Sequence, residues 1–153
     1  MTVLIKEENI MNLQNLKEKL LQYGEKIGLQ VAEEKTDSLT LHSQITAKDY
    51  FLNSVYCRFI AYQSGTIHLF LTFDVIERTY DNLYLINNFN ENNPWFRACI
   101  TSINDRDYLE LHYTAVALSD EQQAIETFGF LLNELLNEPT IKYLQLIING
   151  EKE

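Results

Sequence analysis

The sequence is short of the residues that mark a linker, a disulfide scaffold or a basic binding surface. It has five glycines, two prolines and two cysteines in 153 residues, with 12 Lys and Arg against 22 Asp and Glu. So few glycines and prolines argue against a flexible or Pro-rich linker and favour a single domain over residues 1–153. Cys57 and Cys99 lie too far apart for a CxxC site, and we interpret them as buried, reduced thiols.

The deficit of basic residues limits the classes of partner. The formal net charge is -10 at pH 7. Nucleic acids and anionic membranes are bound through Lys and Arg, so we expect neither as a partner. The N-terminus lacks the basic and apolar regions of a signal peptide, and no apolar run approaches the roughly 18 to 20 residues that span a bilayer. These absences predict a cytoplasmic protein.

The usual signatures of catalysis are also absent. No GxGxxG, GxxxxGKT, HExxH or GxSxG pattern occurs, so the common phosphate cradles and nucleophile turns are missing. Glu110 and His112 lie two residues apart on a predicted strand and could supply two metal ligands, whereas a site needs three or four. We therefore expect no enzymatic activity, no cofactor and no metal site.

What the sequence does contain is a clear pattern of helices and strands. With 46% hydrophobic and 12% aromatic residues, it can form a core of its own. Spacing of apolar residues by three or four predicts helices over 10–27, 79–90 and 119–136, with Ser119 as N-cap and Gln122 completing a capping box. Alternation predicts strands over 39–45, 51–62, 66–75, 95–103 and 108–117. The chain beyond Pro139 fits either a kinked helix or a new turn.

These elements define a fold class. The predicted order is α-β-β-β-α-β-β-α, an α+β fold with an antiparallel five-stranded sheet and helices mainly on one face. The face beneath the helices is predicted to be apolar, with Val55, Cys57, Phe59, Ile67, Leu69, Leu71, Phe73, Ala98, Ile100, Leu109, Leu111 and Tyr113. The other face mixes rings, charges and small polar groups, with Tyr56, Arg58, Ile60, Tyr62, His68, Phe70, Thr72, Trp95, Arg97, Glu110, His112 and Thr114.

The mixed face supplies the candidate site. Tyr56, Arg58, Phe70, Trp95 and Arg97 share its alternation and are predicted to form one partner-binding patch. Aromatic rings and arginines offer a large contact area for little loss of entropy, and they dominate binding hot spots. The alternative is a solvated sheet face whose rings support cross-strand pairs.

A second apolar surface is predicted on the helix over 79–90. Tyr80, Leu83, Tyr84 and Leu85 extend its apolar character beyond a single stripe. Because such a helix is usually buried on a second side, we expect a homodimer.

The second half of the chain resembles a known family. The resemblance rests on residues 84–90 (YLINNFN), 95–98 (WFRA), 109–113 (LELHY) and 118–122 (LSDEQ), and it covers roughly 83–136 by pattern. These segments are similar to the YbjN-like family, also called bacterial sensory transduction regulators, which is grouped with the type III secretion chaperone-like fold. The resemblance implies an adaptor or chaperone-like binding protein, often dimeric, and it transfers no active site.

The leading hypothesis is therefore a non-enzymatic protein-binding adaptor or chaperone-like regulator. The alternative is an immunity or inhibitor protein that neutralises a basic toxin or nuclease through its acidic charge. A third, weaker hypothesis is a small ligand or a reaction in a pocket between the sheet and the helices.

Overall fold

A computed structural model describes residues 11–46, 50–51, 54–116, 118 and 120–149. Four helices are present in this part of the chain: α1 (Leu13–Tyr23), α2 (Tyr80–Asn92), α3 (Glu121–Leu135) and α4 (Glu138–Asn149). The strands are β1 (Gln30–Glu34), β2 (Ser38–Ile45), β3 (Val55–Tyr62), β4 (Ile67–Val75), β5 (Arg97–Ile103) and β6 (Arg106–Ala115). No described helix has both the length and the apolarity needed to cross a membrane.

The strands form one antiparallel sheet in the order β1-β2-β3-β4-β6-β5. The predicted α+β class is confirmed, but the prediction of five strands was wrong because the sheet has six. The missed strand, β1, lies at the edge, and all five of its residues are exposed. With no buried face, β1 lacks the hydrophobic alternation from which a strand is predicted.

Two hairpin turns fix the register of the strand pairs. Gly65 has a positive φ of 95° in the turn between β3 and β4, a backbone conformation that glycine adopts readily. Asn104 and Asp105 have φ values of 51° and 64° and form a two-residue turn between β5 and β6. Each turn aligns the two strands that it joins, whereas the β4–β6 pair brings together strands that are distant in the sequence.

The helices pack on the predicted apolar face of the sheet. Phe59 of β3 and Phe128 of α3 are both fully buried, with ring centroids 5.3 Å apart. The hydroxyl of Ser43 on β2 donates to the backbone oxygen of Ile27, which follows α1. On α2, the ring of Phe89 lies 5.9 Å from that of Tyr143 on α4. The apolar face, the four helices and the core therefore lie on the same side of the sheet.

The helix boundaries differ from the predicted ones in physically clear ways. The first helix ends at Tyr23 and is followed by a 3₁₀ turn over Glu25–Ile27, which Gly28 closes with a φ of 69°. The N-cap of α3 is Asp120, whose carboxylate accepts the Gln123 N–H; the predicted cap, Ser119, lies outside the described residues. The chain after Pro139 is helical, with proline in the first turn, where its missing N–H has little cost.

Candidate protein-interaction face

The sheet surface opposite the helices, which we call the open face, carries a row of side chains that crosses five strands. The register places His42 beside Arg58, Arg58 beside Phe70, Phe70 beside His112, and His112 beside Arg97. We call these five residues the central row. Residues directly opposite on antiparallel strands point to the same face, so their side chains are lateral neighbours.

The middle of the central row is a stack. The guanidinium carbon of Arg58 lies 4.6 Å from the centroid of the Phe70 ring, a cation–π contact. The His112 ring lies parallel to the Phe70 ring, at 1° and 4.4 Å between centroids. Because the stacking partners are on neighbouring strands, the ring faces point along the sheet and the ring edges point outward.

Two histidines and a threonine form a hydrogen-bonded group beside this stack. Nδ1 of His68 lies 3.2 Å from Nε2 of His112, and each nitrogen lies 2.9 Å from the Thr114 hydroxyl oxygen. Burial lowers the pKa of His112, and the proximity of His68 lowers it further. At neutral pH, His112 is therefore mainly a neutral ring stacked on Phe70.

Glu110 is an acidic residue beside the middle of the central row. Burial raises the pKa of its carboxyl group, while Arg58 and a hydrogen bond from the Thr72 hydroxyl act in the opposite direction. The Thr72 and Glu110 oxygens are 3.5 Å apart. The Glu110 carboxylate therefore offsets part of the Arg58 charge from the next row of the sheet.

The prediction that both cysteines are buried thiols is correct for one of them. Cys57 is fully buried on the apolar face, and burial raises its pKa to about 12. Cys99 is exposed on the open face, where burial and then the Glu110 charge raise its pKa. Because the thiolate is the reactive form, neither cysteine is an activated nucleophile at neutral pH.

Four of the five predicted patch residues lie on the open face. Arg58, Phe70 and Arg97 belong to the central row, and Tyr56 lies in the adjacent row, where its hydroxyl is 2.9 Å from Nδ1 of His42. The fifth, Trp95, does not join them. It packs on Phe130 of α3 with centroids 4.8 Å apart, on the side of the sheet that carries the helices.

The reason is that the alternation of β5 does not extend back to Trp95. The strand begins at Arg97, and the side-chain oxygen of Asn93 accepts the N–H groups of Trp95 and Phe96 at 2.9 and 2.8 Å. This asparagine turn redirects the backbone, so two-residue spacing no longer implies a shared face. Placing Trp95 in the patch was therefore wrong.

We expect Trp95→Ala to lower the free energy of unfolding by only about 1 to 2 kcal/mol, because the side chain is 41% exposed and loses mainly its contact with Phe130. The adjacent Phe96, which is 1% exposed, is a matched control, and its alanine variant should lose about 3 kcal/mol or more. Urea denaturation measures both. Equal losses in the two variants would contradict this placement of Trp95.

The central row also includes residues that the sequence prediction left out. His42 and His112 lie on predicted strands, but only the register shows that His112 stacks on Phe70 and contacts His68 beside the row. Each hairpin aligns its own two strands, and the pairing of β4 with β6 joins the two halves of the row. The sequence pattern does not show that β4 pairs with β6, and this pairing is what places His112 next to Phe70. Among the described residues, no group of three His, Cys, Asp or Glu could hold a metal ion.

The apolar surface predicted on the second helix is present. Tyr80 and Tyr84 are 93% and 66% exposed in the first half of α2. Beside them, a cavity of about 910 Å³ opens between α2, the end of β4 and the end of α4, lined in part by Val75, Leu85 and Ile147. The homodimer stays a prediction, since exposure alone does not identify what covers this surface.

Comparisons with known proteins give a likeness in structure. Neither the family models nor the curated proteins give a match to this chain. Among solved structures, the chain is similar to the crystal structure of YbjN from E. coli, described as a candidate transcription regulator. The likeness has a TM-score of 0.49 and 13% identity, over 85% of this chain and 90% of that one. It is a similarity of overall fold and assigns no residue a role.

Proposed function

We propose that this protein is a non-enzymatic adaptor or chaperone-like regulator that binds a protein partner through the open face. The observation that carries the proposal is the central row, in which Arg58, Phe70 and His112 are stacked side by side on a sheet face opposite the helices. Mutual stacking fixes these side chains before a partner arrives, which lowers the entropy lost on binding.

The chemistry of the row also favours protein binding over catalysis. Aromatic and arginine side chains are enriched in binding hot spots, whereas a catalytic site needs an activated nucleophile or a general base. The thiol next to the row, that of Cys99, has a raised pKa. Nε2 of His112 lies within hydrogen-bond distance of His68 and Thr114.

Affinity capture with variants of the purified chain tests the proposal. Phe70→Ala removes the centre of the stack, and we expect it to weaken binding of the natural partner by about 2 kcal/mol, as removal of a hot spot does. Tyr80→Ala, on α2 and away from the open face, is the control and should bind as the wild type does. The partner is identified by mass spectrometry and its affinity for each variant is then measured by calorimetry.

Several outcomes would overturn the proposal. A partner bound equally by Phe70→Ala and the wild type, with both proteins shown to be folded by thermal melting, does not use the open face. If only Tyr80→Ala fails to capture the partner, the partner binds at α2 and not at the open face. A basic nuclease bound independently of Phe70 would favour the immunity or inhibitor alternative.

A further inference from the structure

The open face differs in charge from the rest of the molecule. The chain has a net charge of -10, yet two of its four arginines, Arg58 and Arg97, lie in the central row. Across β2 to β6, the central row and the rows on either side of it contain one acidic residue, Glu110. A locally cationic surface on an acidic protein indicates a partner with the opposite charge.

The two arginines of the row have unused capacity to bind carboxylates. Arg97 is exposed and forms no ion pair with a residue in the described ranges. Arg58 is held over Phe70 and is half-buried; its Nε is fully buried, so an incoming carboxylate would meet the terminal amino groups of the guanidinium. Guanidinium groups bind carboxylates through paired hydrogen bonds, so each arginine can hold one acidic side chain.

The stack between the arginines also favours an anion. Phe70 and His112 have their faces against neighbouring side chains and their edges directed outward. The edge of an aromatic ring carries the positive end of its quadrupole. A carboxylate placed over the Phe70 edge meets partial positive charge, whereas an ammonium group would be repelled.

The spacing of the row fits an extended chain. Arg58 and Arg97 are separated by three strand-to-strand steps, about 14 Å at roughly 4.8 Å a step. In an extended peptide, residues i and i+4 are about 14 Å apart and point to the same side, as does residue i+2. Acidic residues at i, i+2 and i+4 would therefore lie over Arg58, the ring edges and Arg97.

We propose that the open face binds an extended acidic segment of a partner protein, with carboxylates on alternate residues. This inference deepens the proposed function and rests on it. It also explains the position of Glu110, whose carboxylate sits beside the row as an internal competitor for the Arg58 charge. Removing that competitor should strengthen binding, an effect that a merely structural role of Glu110 would not produce.

The test uses the capped peptide Ser-Glu-Thr-Glu-Thr-Glu-Ser and NMR titration of the full-length protein at 0.15 M salt. We expect shifts of the backbone amide signals of Arg58, Phe70, His112 and Arg97. Arg58→Glu and Arg97→Glu should each weaken binding tenfold or more. Glu110→Gln should strengthen it about threefold, because one nearby repulsive charge is removed.

Two controls separate local recognition from net charge. Lys26→Glu changes the net charge as much as each arginine variant but lies at an exposed position on the 3₁₀ turn after α1, and it should bind the peptide as the wild type does. The same peptide with lysine in place of each glutamate should not bind. Equal binding of the two peptides, equal losses in Lys26→Glu and Arg58→Glu, or weaker binding by Glu110→Gln would overturn the proposal.

The capture experiment distinguishes failure here from failure of the proposed function. If Phe70→Ala loses the natural partner but the acidic peptide produces no shifts, the open face binds a partner of different chemistry and only this inference is wrong. If the partner is bound independently of Phe70, the proposed function itself is wrong.

Discussion

Phe128→Ala is expected to lower the free energy of unfolding by about 3 to 5 kcal/mol, the usual cost of removing a buried phenylalanine ring. Phe128 is fully buried on α3, where its ring contacts Phe59 on the sheet at 5.3 Å and Tyr23 on α1 at 6.2 Å. Truncation leaves a cavity where three elements meet. Since domains of this size are stable by only about 5 to 15 kcal/mol, such a loss is a large fraction of the total.

Phe130 provides the matched control for this prediction. It lies two residues further along the same helix, is 41% exposed and contacts Trp95. Phe130→Ala should lose about 1 kcal/mol, because little apolar area returns to water and no closed cavity forms. Guanidinium denaturation of both variants measures the difference, and losses of equal size would show that α3 does not present Phe128 to the core.

The faces of the sheet could be predicted because alternation within a strand is a local property. In β3 and β4, each residue assigned to the apolar side is buried, and each one assigned to the mixed side is at least partly accessible. A pleated strand sends successive side chains to opposite faces, so one buried residue fixes the phase of the rest. The sequence therefore predicts which residues of β3 and β4 lie on the open face.

The prediction failed where that phase was extended beyond a strand. Trp95 precedes the first residue of β5, and the asparagine turn at Asn93 ends the alternation there. The end of α3 differs from the prediction in a similar way: Leu136 lies inside the predicted helix over 119–136, but the helix ends at Leu135 and Leu136 is 50% exposed. Periodicity is informative only inside an element, and its ends depend on caps and turns.

The composition of the central row could not be predicted from the sequence for a different reason. A residue's phase tells which face it occupies, but not which residue on another strand it meets. Phe70 and His112 stack because β4 pairs with β6, a contact between segments separated by a helix and another strand. Non-local pairings of this kind depend on the whole fold. The alternation within each strand therefore predicts which residues lie on the open face, but not which of them are neighbours.

The turn between β3 and β4 sets one of these registers, and its glycine is the second position with a large expected effect. Gly65 has a φ of 95°, and a Cβ atom added there would lie 2.5 Å from the backbone oxygen of Leu118. The backbone oxygen of Gly65 accepts the Leu118 N–H at 3.1 Å, so this segment is held against the turn. Neither atom of the clash can move aside as a flexible side chain would.

We therefore expect Gly65→Ala to lower the free energy of unfolding by about 2 to 4 kcal/mol, from left-handed strain and the backbone clash together. Gly28→Ala is the matched control, because Gly28 has a φ of 69° and no atom lies within 4 Å of its added Cβ. That variant carries the conformational strain alone and should lose about 1 to 2 kcal/mol. Urea denaturation of the two variants separates strain from clash. If Gly65→Ala loses no more free energy of unfolding than Gly28→Ala does, the backbone at Leu118 moves away from the added Cβ. The β3–β4 turn would then not depend on its contact with Leu118.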